Sequence, residues 1–240
     1  MRVQNEPAWL LHHRPFQDAS RILEVLSRNH GRLSLVARGS RSGRSRLKGF
    51  LRPFAPLQLS WVARSELGTL TGADRLGTPI TLSGEALMAG YYVNELILHL
   101  VHRHDPQPEL FAAYGAAIEG LQGSERVPAR LREFELELLR LLGFALDLGR
   151  EADTDTALEP AGTYEYRIEH GPVPVRDREG PMIFTGAELL AICDRDLEDP
   201  AVLRAAGRLL RDVIAFHLGG KELKSRKVLM DMRKRAERRM

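Results

Sequence analysis

Along the first 80 residues, apolar side chains fall in short runs or on alternate positions, as β-strands require. Trp9, Leu10 and Leu11 start one run. Residues 21–28 (RILEVLSR) make a second, which stops at Asn29-His30-Gly31, a tight-turn triplet whose glycine is free to take positive φ. Leu33, Leu35 and Ala37 alternate with Ser34, Val36 and Arg38; Leu57, Leu59 and Trp61 alternate with Gln58 and Ser60. Residues 67–71 (LGTLT) offer a fifth strand.

From Ser83 the period lengthens to that of a helix. Leu87, Met88, Tyr91, Tyr92, Leu96 and Leu98 predict a helix apolar on nearly all sides, hence buried. Pro108 suits a first helical turn, and Leu110, Phe111, Tyr114, Ile118 and Leu121 follow at helical spacing. Pro128 opens a third helix with Leu131, Phe134, Leu138, Leu141 and Leu142 on one face and Gly143 as its stop. Thr185 and Glu188 match a capping box. Val202, Ala206, Leu209, Val213 and Phe216 line a last helix that Gly219 and Gly220 end. Between Gly149 and Gly180 the pattern fails, and alternation at Tyr164, Tyr166 and Ile168 before His170-Gly171-Pro172 predicts a loop and a β-hairpin. The predicted fold is α+β with two domains. A five-stranded barrel of the oligonucleotide-binding (OB) type occupies 1–80, with an SH3-like barrel as the alternative. A helical domain occupies 81–240, with an insertion at about 149–184.

Composition narrows the class. Apolar residues make up 43% and charged residues 28%, enough for a packed core. No apolar run approaches the roughly 20 residues of a membrane helix, and the N-terminus carries no export pattern. One cysteine, Cys193, excludes an internal disulfide and a cysteine zinc cage and fits a reducing cytoplasm. The net charge of +3 says little, but its distribution says more. Residues 1–80 carry +8, residues 81–218 carry −11 and residues 219–240 carry +6. Basic surfaces at both ends of an acidic body point to a polyanion partner.

The strongest local signal is the stretch 28–52, which holds Arg28, Arg32, Arg38, Arg41, Arg44, Arg46, Lys48 and Arg52 and no acidic residue. Its Gly/Ser-rich part lets a backbone follow a phosphate chain, and guanidinium groups pair with phosphate in a forked geometry. The bland alternative is a solvated loop. Phe50 and Phe54 are the only aromatic residues there that could stack on bases. A second signal is 219–226 (GGKELKSR), with Lys221, Lys224 and Arg226; a helix C-terminus with dipole-compensating cations explains it equally well. His99, His102 and His104 sit close together without a completing carboxylate or thiol, so no metal and no cofactor is expected. Asp153, Asp155 and Glu159 lack the glycine of a calcium loop. No Walker loop, dinucleotide fingerprint or nucleophile elbow is present, which favours binding over catalysis.

Seven stretches, in order, resemble the RecO family of recombination mediators: 33–41 (LSLVARGSR), 47–49 (LKG), 51–57 (LRPFAPL), 90–96 (GYYVNEL), 132–136 (REFEL), 141–144 (LLGF) and 218–226 (LGGKELKSR). The resemblance implies an N-terminal OB fold joined to a helical domain. It implies binding of single- and double-stranded DNA, annealing of complementary strands, and help in replacing single-strand-binding protein with recombinase. It also implies a RecR partner. Many members carry a four-cysteine zinc motif in the insertion; residues 149–184 hold no cysteine, which places this chain with the zinc-less branch. The expected DNA-binding residues are Arg32, Arg38, Arg41, Arg44, Arg46, Lys48, Arg52, Lys221, Lys224 and Arg226. The acidic tail of single-strand-binding protein would need a cation beside an apolar groove, and Arg130, Arg132 and Phe134 offer that combination unless the arginines pair with Glu133, Glu135 or Glu137. The expectation is a cytoplasmic, nucleoid-associated, non-enzymatic mediator. The alternatives are an RNA-binding or ribosome-associated factor on the same barrel and a metal-dependent nuclease.

Overall fold

The computed structural model describes residues 1–42, 46–49, 51–176, 178–225, 227 and 228. Five strands open the chain: β1 (Arg2–Phe16), β2 (Ser20–Ser27), β3 (Gly31–Ala37), β4 (Pro56–Val62) and β5 (Leu67–Arg75). They close into a barrel in the order β1-β2-β3-β5-β4, with β3 parallel to β5 and the other pairs antiparallel. This is the OB-fold topology, and it removes the SH3-like alternative. Closure depends on β1, whose residues 2–9 pair with β4 and residues 8–16 with β2. A register shift between Leu10 and His12 bends the strand between its two partners.

Leu10, Leu23, Val25, Leu33, Leu35, Leu57, Leu59 and Trp61 point into the barrel and form its core. The outer face of β1 and β2 is buried as well. Trp9 packs on Phe111 and Tyr114, and Leu11, Ile22 and Leu26 are 5% exposed or less. Residues 22–26 are therefore apolar on both sides of Glu24, because both faces of the strand are covered.

The covering elements are helices α1 (Gly84–Leu100) and α2 (Pro108–Leu121). Asn94 of α1 is 2% exposed; its amide donates to Leu11 O at 2.7 Å and accepts from the Tyr114 hydroxyl at 2.7 Å. Burial in this contact pushes the Tyr114 phenol up. The expectation that α1 is buried all round fails: Glu85, Tyr91 and His99 are exposed, and only the face with Ala89, Val93, Leu96 and Ile97 is sealed. The mostly apolar exposed side hid this amphipathicity.

The chain divides into two compact units. The barrel, α1, α2 and the described residues after 222 (223–225, 227 and 228) belong to one, and the described residues of 125–222 form the other. The second unit holds α3 (Val127–Leu141), α4 (Gly186–Cys193) and α5 (Pro200–His217) with a three-stranded sheet, β6 (Thr163–Arg167), β7 (Gly171–Pro174) and β8 (Ile183–Thr185), in the order β7-β6-β8. The predicted hairpin is β6–β7. The third strand went unpredicted because three residues carry no period. Thr185 and Glu188 form the full capping box on α4, and Asp199 accepts from Ala201 N at 2.7 Å and caps α5.

Candidate nucleic-acid interface

Strand direction decides which loops meet. β1, β3 and β5 end where β2 and β4 begin, so the turn 17–19, the connection 38–55 and the segment after Arg75 share one end of the barrel. Arg14, Arg21, Arg38, Arg41, Arg52 and Arg75 belong to this end, against Asp18 and Asp74. The connection is anchored. Leu47, in a short 3-10 turn (Arg46–Gly49), packs on the barrel core, and Leu51 is 1% exposed with its N–H on Leu47 O at 3.1 Å. Burying Leu51 alone is worth about 1.5–3 kcal/mol. The cations are thus interleaved with leucines that plug the barrel end. Arg41 is tied to the neighbouring turn through its N–H to Ala19 O at 2.9 Å and its guanidinium to Gln17 O at 3.4 Å.

The expected DNA-binding residues separate into groups. Arg38, Arg41 and Arg52 are exposed at this one end. Arg44 and Arg226 lie outside the described residues, and for Arg46 and Lys48 only the backbone is described. Lys221 and Lys224 are exposed but fall in different units. Arg32 departs from the expectation. It sits in β3, donates through Nε to Val101 O at 3.0 Å and faces Glu24 at 3.7 Å, with its side chain 12% exposed. Burial, with Arg103 nearby, lowers its pKa against the opposing pull of Glu24. The beginning of β3 extends past its pairing with β5. There the chain after α1 takes up the edge: Arg103 bridges to Arg32, and His104 N donates to Arg32 O at 2.9 Å. A Cβ on Gly31 would stand 2.2 Å from Asp105 O, so only glycine admits this approach, and its φ of 65° favours one as well. Arg103 also donates to Glu24 at 2.9 Å. Arg32 therefore serves the seam between barrel and helix. Phe54, expected as a stacking residue, is 4% exposed and packed on α1; Phe50 lies outside the described residues.

Several positions were missed. Arg14 and Arg21 flank the β1–β2 turn, and Arg75 ends β5; none lies within the basic run 28–52. Glu95 accepts the N–H groups of Lys224 and Ser225, both at 2.9 Å, and so caps the helical turn that begins at Lys224. Burial opposes ionisation there, but the hydrogen bonds from Ser225 and Lys224 outweigh it and hold the Glu95 carboxyl below its usual pKa. Nothing in sequence links positions 129 or 130 residues apart.

The α3 arginines behave differently from those of the barrel. Arg130 pairs with Glu133 at 2.9 Å and Arg132 with Glu135 at 2.7 Å, each one turn along the helix. Glu135 is 1% exposed, and Phe134, at 4%, is part of the core. The cation-and-groove combination expected here is thus already satisfied internally. Among the described residues no three His, Cys, Asp or Glu side chains gather as a metal site. No described helix is long and apolar enough to cross a membrane.

Residues 1–78 match the family described as Recombination protein O N terminal, and residues 82–227 match Recombination protein O C terminal. The chain belongs to the RecO family. It is 43% identical over 236 residues to the DNA repair protein RecO of Nitrosococcus oceani, spanning 98% of this chain and 96% of that one. It is 41% identical over 227 residues to the DNA repair protein RecO of Methylococcus capsulatus, with 95% and 93% covered. The DNA repair protein RecO of Coxiella burnetii shares 39% over 228 residues, with 95% and 98% covered. The barrel with its basic end falls within the N-terminal RecO region, and α1 to α5 fall within the C-terminal one.

Proposed function

We propose that this RecO-family protein acts in DNA repair by binding single- and double-stranded DNA, annealing complementary strands and helping recombinase to replace single-strand-binding protein. The observation that carries the reading is the acid-free stretch 28–52, which returns to one end of an OB barrel in a chain of the RecO family over nearly its whole length. Phosphate repulsion opposes the pairing of two strands. A cluster of guanidinium groups neutralises both chains at once and raises the encounter rate. In this reading the DNA contacts at the barrel end are Arg38, Arg41 and Arg52, with Arg14 and Arg21 at the same end; Arg44, Arg46 and Lys48 join them by their place in the sequence, and Lys221, Lys224 and Arg226 make a second basic segment. Arg32 is left out because its side chain is engaged within the barrel unit.

The partners in this reading are a RecR-type protein and the acidic tail of single-strand-binding protein. At α3 a tail carboxylate must compete with Glu133 for Arg130 and with Glu135 for Arg132. The protein works on nucleoid DNA in the cytoplasm, by binding alone, without metal or cofactor. The test is strand annealing on DNA coated with single-strand-binding protein, with and without this protein, and with RNA of the same sequence as the control. Accelerated annealing of DNA is expected. No acceleration, or equal action on RNA, overturns the reading.

A further inference from the structure

A groove of about 440 Å³ opens at the basic end of the barrel. Its wall includes Gly49 and residues 52–56, the last part of the arginine-bearing connection, and Arg75, where β5 ends. Ile80, Leu82 and Leu87 supply aliphatic sides. Tyr91 of α1 stands in it 39% exposed, the one ring among the exposed large apolar side chains described in this unit. The floor is built to hold that ring in place. Phe54 adopts φ of 66°, a left-handed backbone that a bulky residue rarely takes, and its ring meets Tyr91 edge-on at 5.2 Å. Gly90 makes the contact possible, since a Cβ there would come within 2.9 Å of the Phe54 ring and 2.7 Å of Leu82.

We propose that this groove is a base-binding subsite, in which an unstacked nucleobase of single-stranded DNA lies on Tyr91 while the adjoining phosphates meet Arg52 and Arg75. The inference deepens the proposed DNA binding and rests on it. The required ligand is a flat apolar group attached to anions, and a nucleotide is both. The groove has the volume of an ordinary small-molecule site, roomy enough for a base and its sugar. Continuity decides the occupant: the groove is walled by the same connection that carries the cations, so a strand tracking those cations arrives at Tyr91. Stacking on an aromatic ring is available to every base, so the subsite gives preference for single strands without sequence preference. In a duplex the bases are already stacked and paired, so duplex DNA uses the cations alone.

The experiment compares full-length wild type, Tyr91→Ala and Tyr91→Phe by fluorescence anisotropy. The probes are one single-stranded oligonucleotide, its abasic counterpart with the same phosphates, and its duplex. Wild type is expected to bind the intact strand about tenfold more tightly than the abasic one. Tyr91→Ala is expected to bind both at the abasic level while keeping its duplex affinity, and Tyr91→Phe to retain the preference. Tyr91→Ala indistinguishable from wild type on the intact strand overturns the subsite, as does equal loss on single strand and duplex. A wild type that binds every DNA but ignores the missing bases removes the subsite and leaves the DNA-binding reading standing; a wild type that binds none removes both. A labelled acidic peptide ending in Phe provides the last arm. If Tyr91→Ala loses that peptide while keeping its preference for the intact strand, the groove belongs to a protein partner and the proposal fails.

Discussion

The arginines of the barrel end and those of α3 are the same residue in two settings. In α3 a carboxylate waits one turn away for each: Glu133 for Arg130, Glu135 for Arg132, Glu137 for Arg140. In the connection after β3 there is no acid within the stretch 28–52, and Arg38 and Arg52 are exposed with no ion-pair partner among the described residues. A helix brings residues three apart together, so an Arg/Glu-rich helix neutralises itself. An acid-free loop cannot, and its charge stays available to an outside anion. Arginine content alone is therefore no guide to a polyanion site; the guide is arginine without a carboxylate at a spacing the local structure closes.

The most severe test of the barrel side is ionic strength. Raising salt from 50 to 200 mM should weaken binding of single-stranded DNA by about two to three decades if about six phosphates are contacted. Anisotropy titrations that show no salt dependence would break the comparison at once.

On the α3 side the largest effect is expected from Arg132→Ala, because it removes a 2.7 Å ion pair from Glu135, which is 1% exposed. Urea denaturation should show a loss of about 3 kcal/mol. Arg130→Ala breaks a pair whose members are 47% and 32% exposed and should cost under about 1 kcal/mol. Equal costs for the two would mean that Glu135 does not depend on Arg132. A Phe-ended acidic peptide bound equally by wild type and by folded Arg132→Ala would place the tail site elsewhere.

Replacing Arg41, Arg44 and Arg46 together by Ala sharpens the other half. Three lost phosphate contacts should lower the salt slope of single-strand binding by about two. Stability should change by under about 0.5 kcal/mol, as for a polar surface loop. A stability loss with unchanged slope would make them structural.

The smallest effect concerns Glu137. Hydrogen bonds from Arg140 and Arg195 hold its carboxyl at about 2, below the ordinary 4.5. A depressed folded-state pKa contributes stability above the unfolded value and loses it as pH falls through the folded one. The contribution is present at pH 7 and fades between about 4.5 and about 2. Glu137→Gln should flatten stability against pH across that window. An unchanged acid limb would show that the unfolded chain keeps the same pairs.

Five barrel strands and five helices were legible in the sequence, although β1, which begins at Arg2, was visible only from Trp9, and α4 through its capping box rather than a period. Even the turn at Gly31 was visible. The three-residue β8 was not, nor was the exposed side of α1, since Tyr91 is apolar by composition yet faces solvent. At the candidate interface, the acid-free run pointed to Arg38, Arg41 and Arg52, which the fold leaves exposed. The same run also included Arg32, whose fate depends on Glu24 in β2 and Val101 after α1.

Taken alone, the sequence determined the local quantities: strand and helix periods, the capping box at Thr185, the single cysteine, the segregated charge and the family motifs. These depend on residues within a few positions of one another, which is the range over which backbone geometry repeats. Tertiary structure alone decided three things. Closure of the barrel gathered Arg14, Arg21, Arg41, Arg52 and Arg75 at one end. Packing of α1 left the Tyr91 ring standing against Phe54 in a groove. Glu95 reached across the chain to cap Lys224 and Ser225. Each joins residues tens of positions apart, and no periodicity records such a meeting, because it is settled by which faces must leave water together.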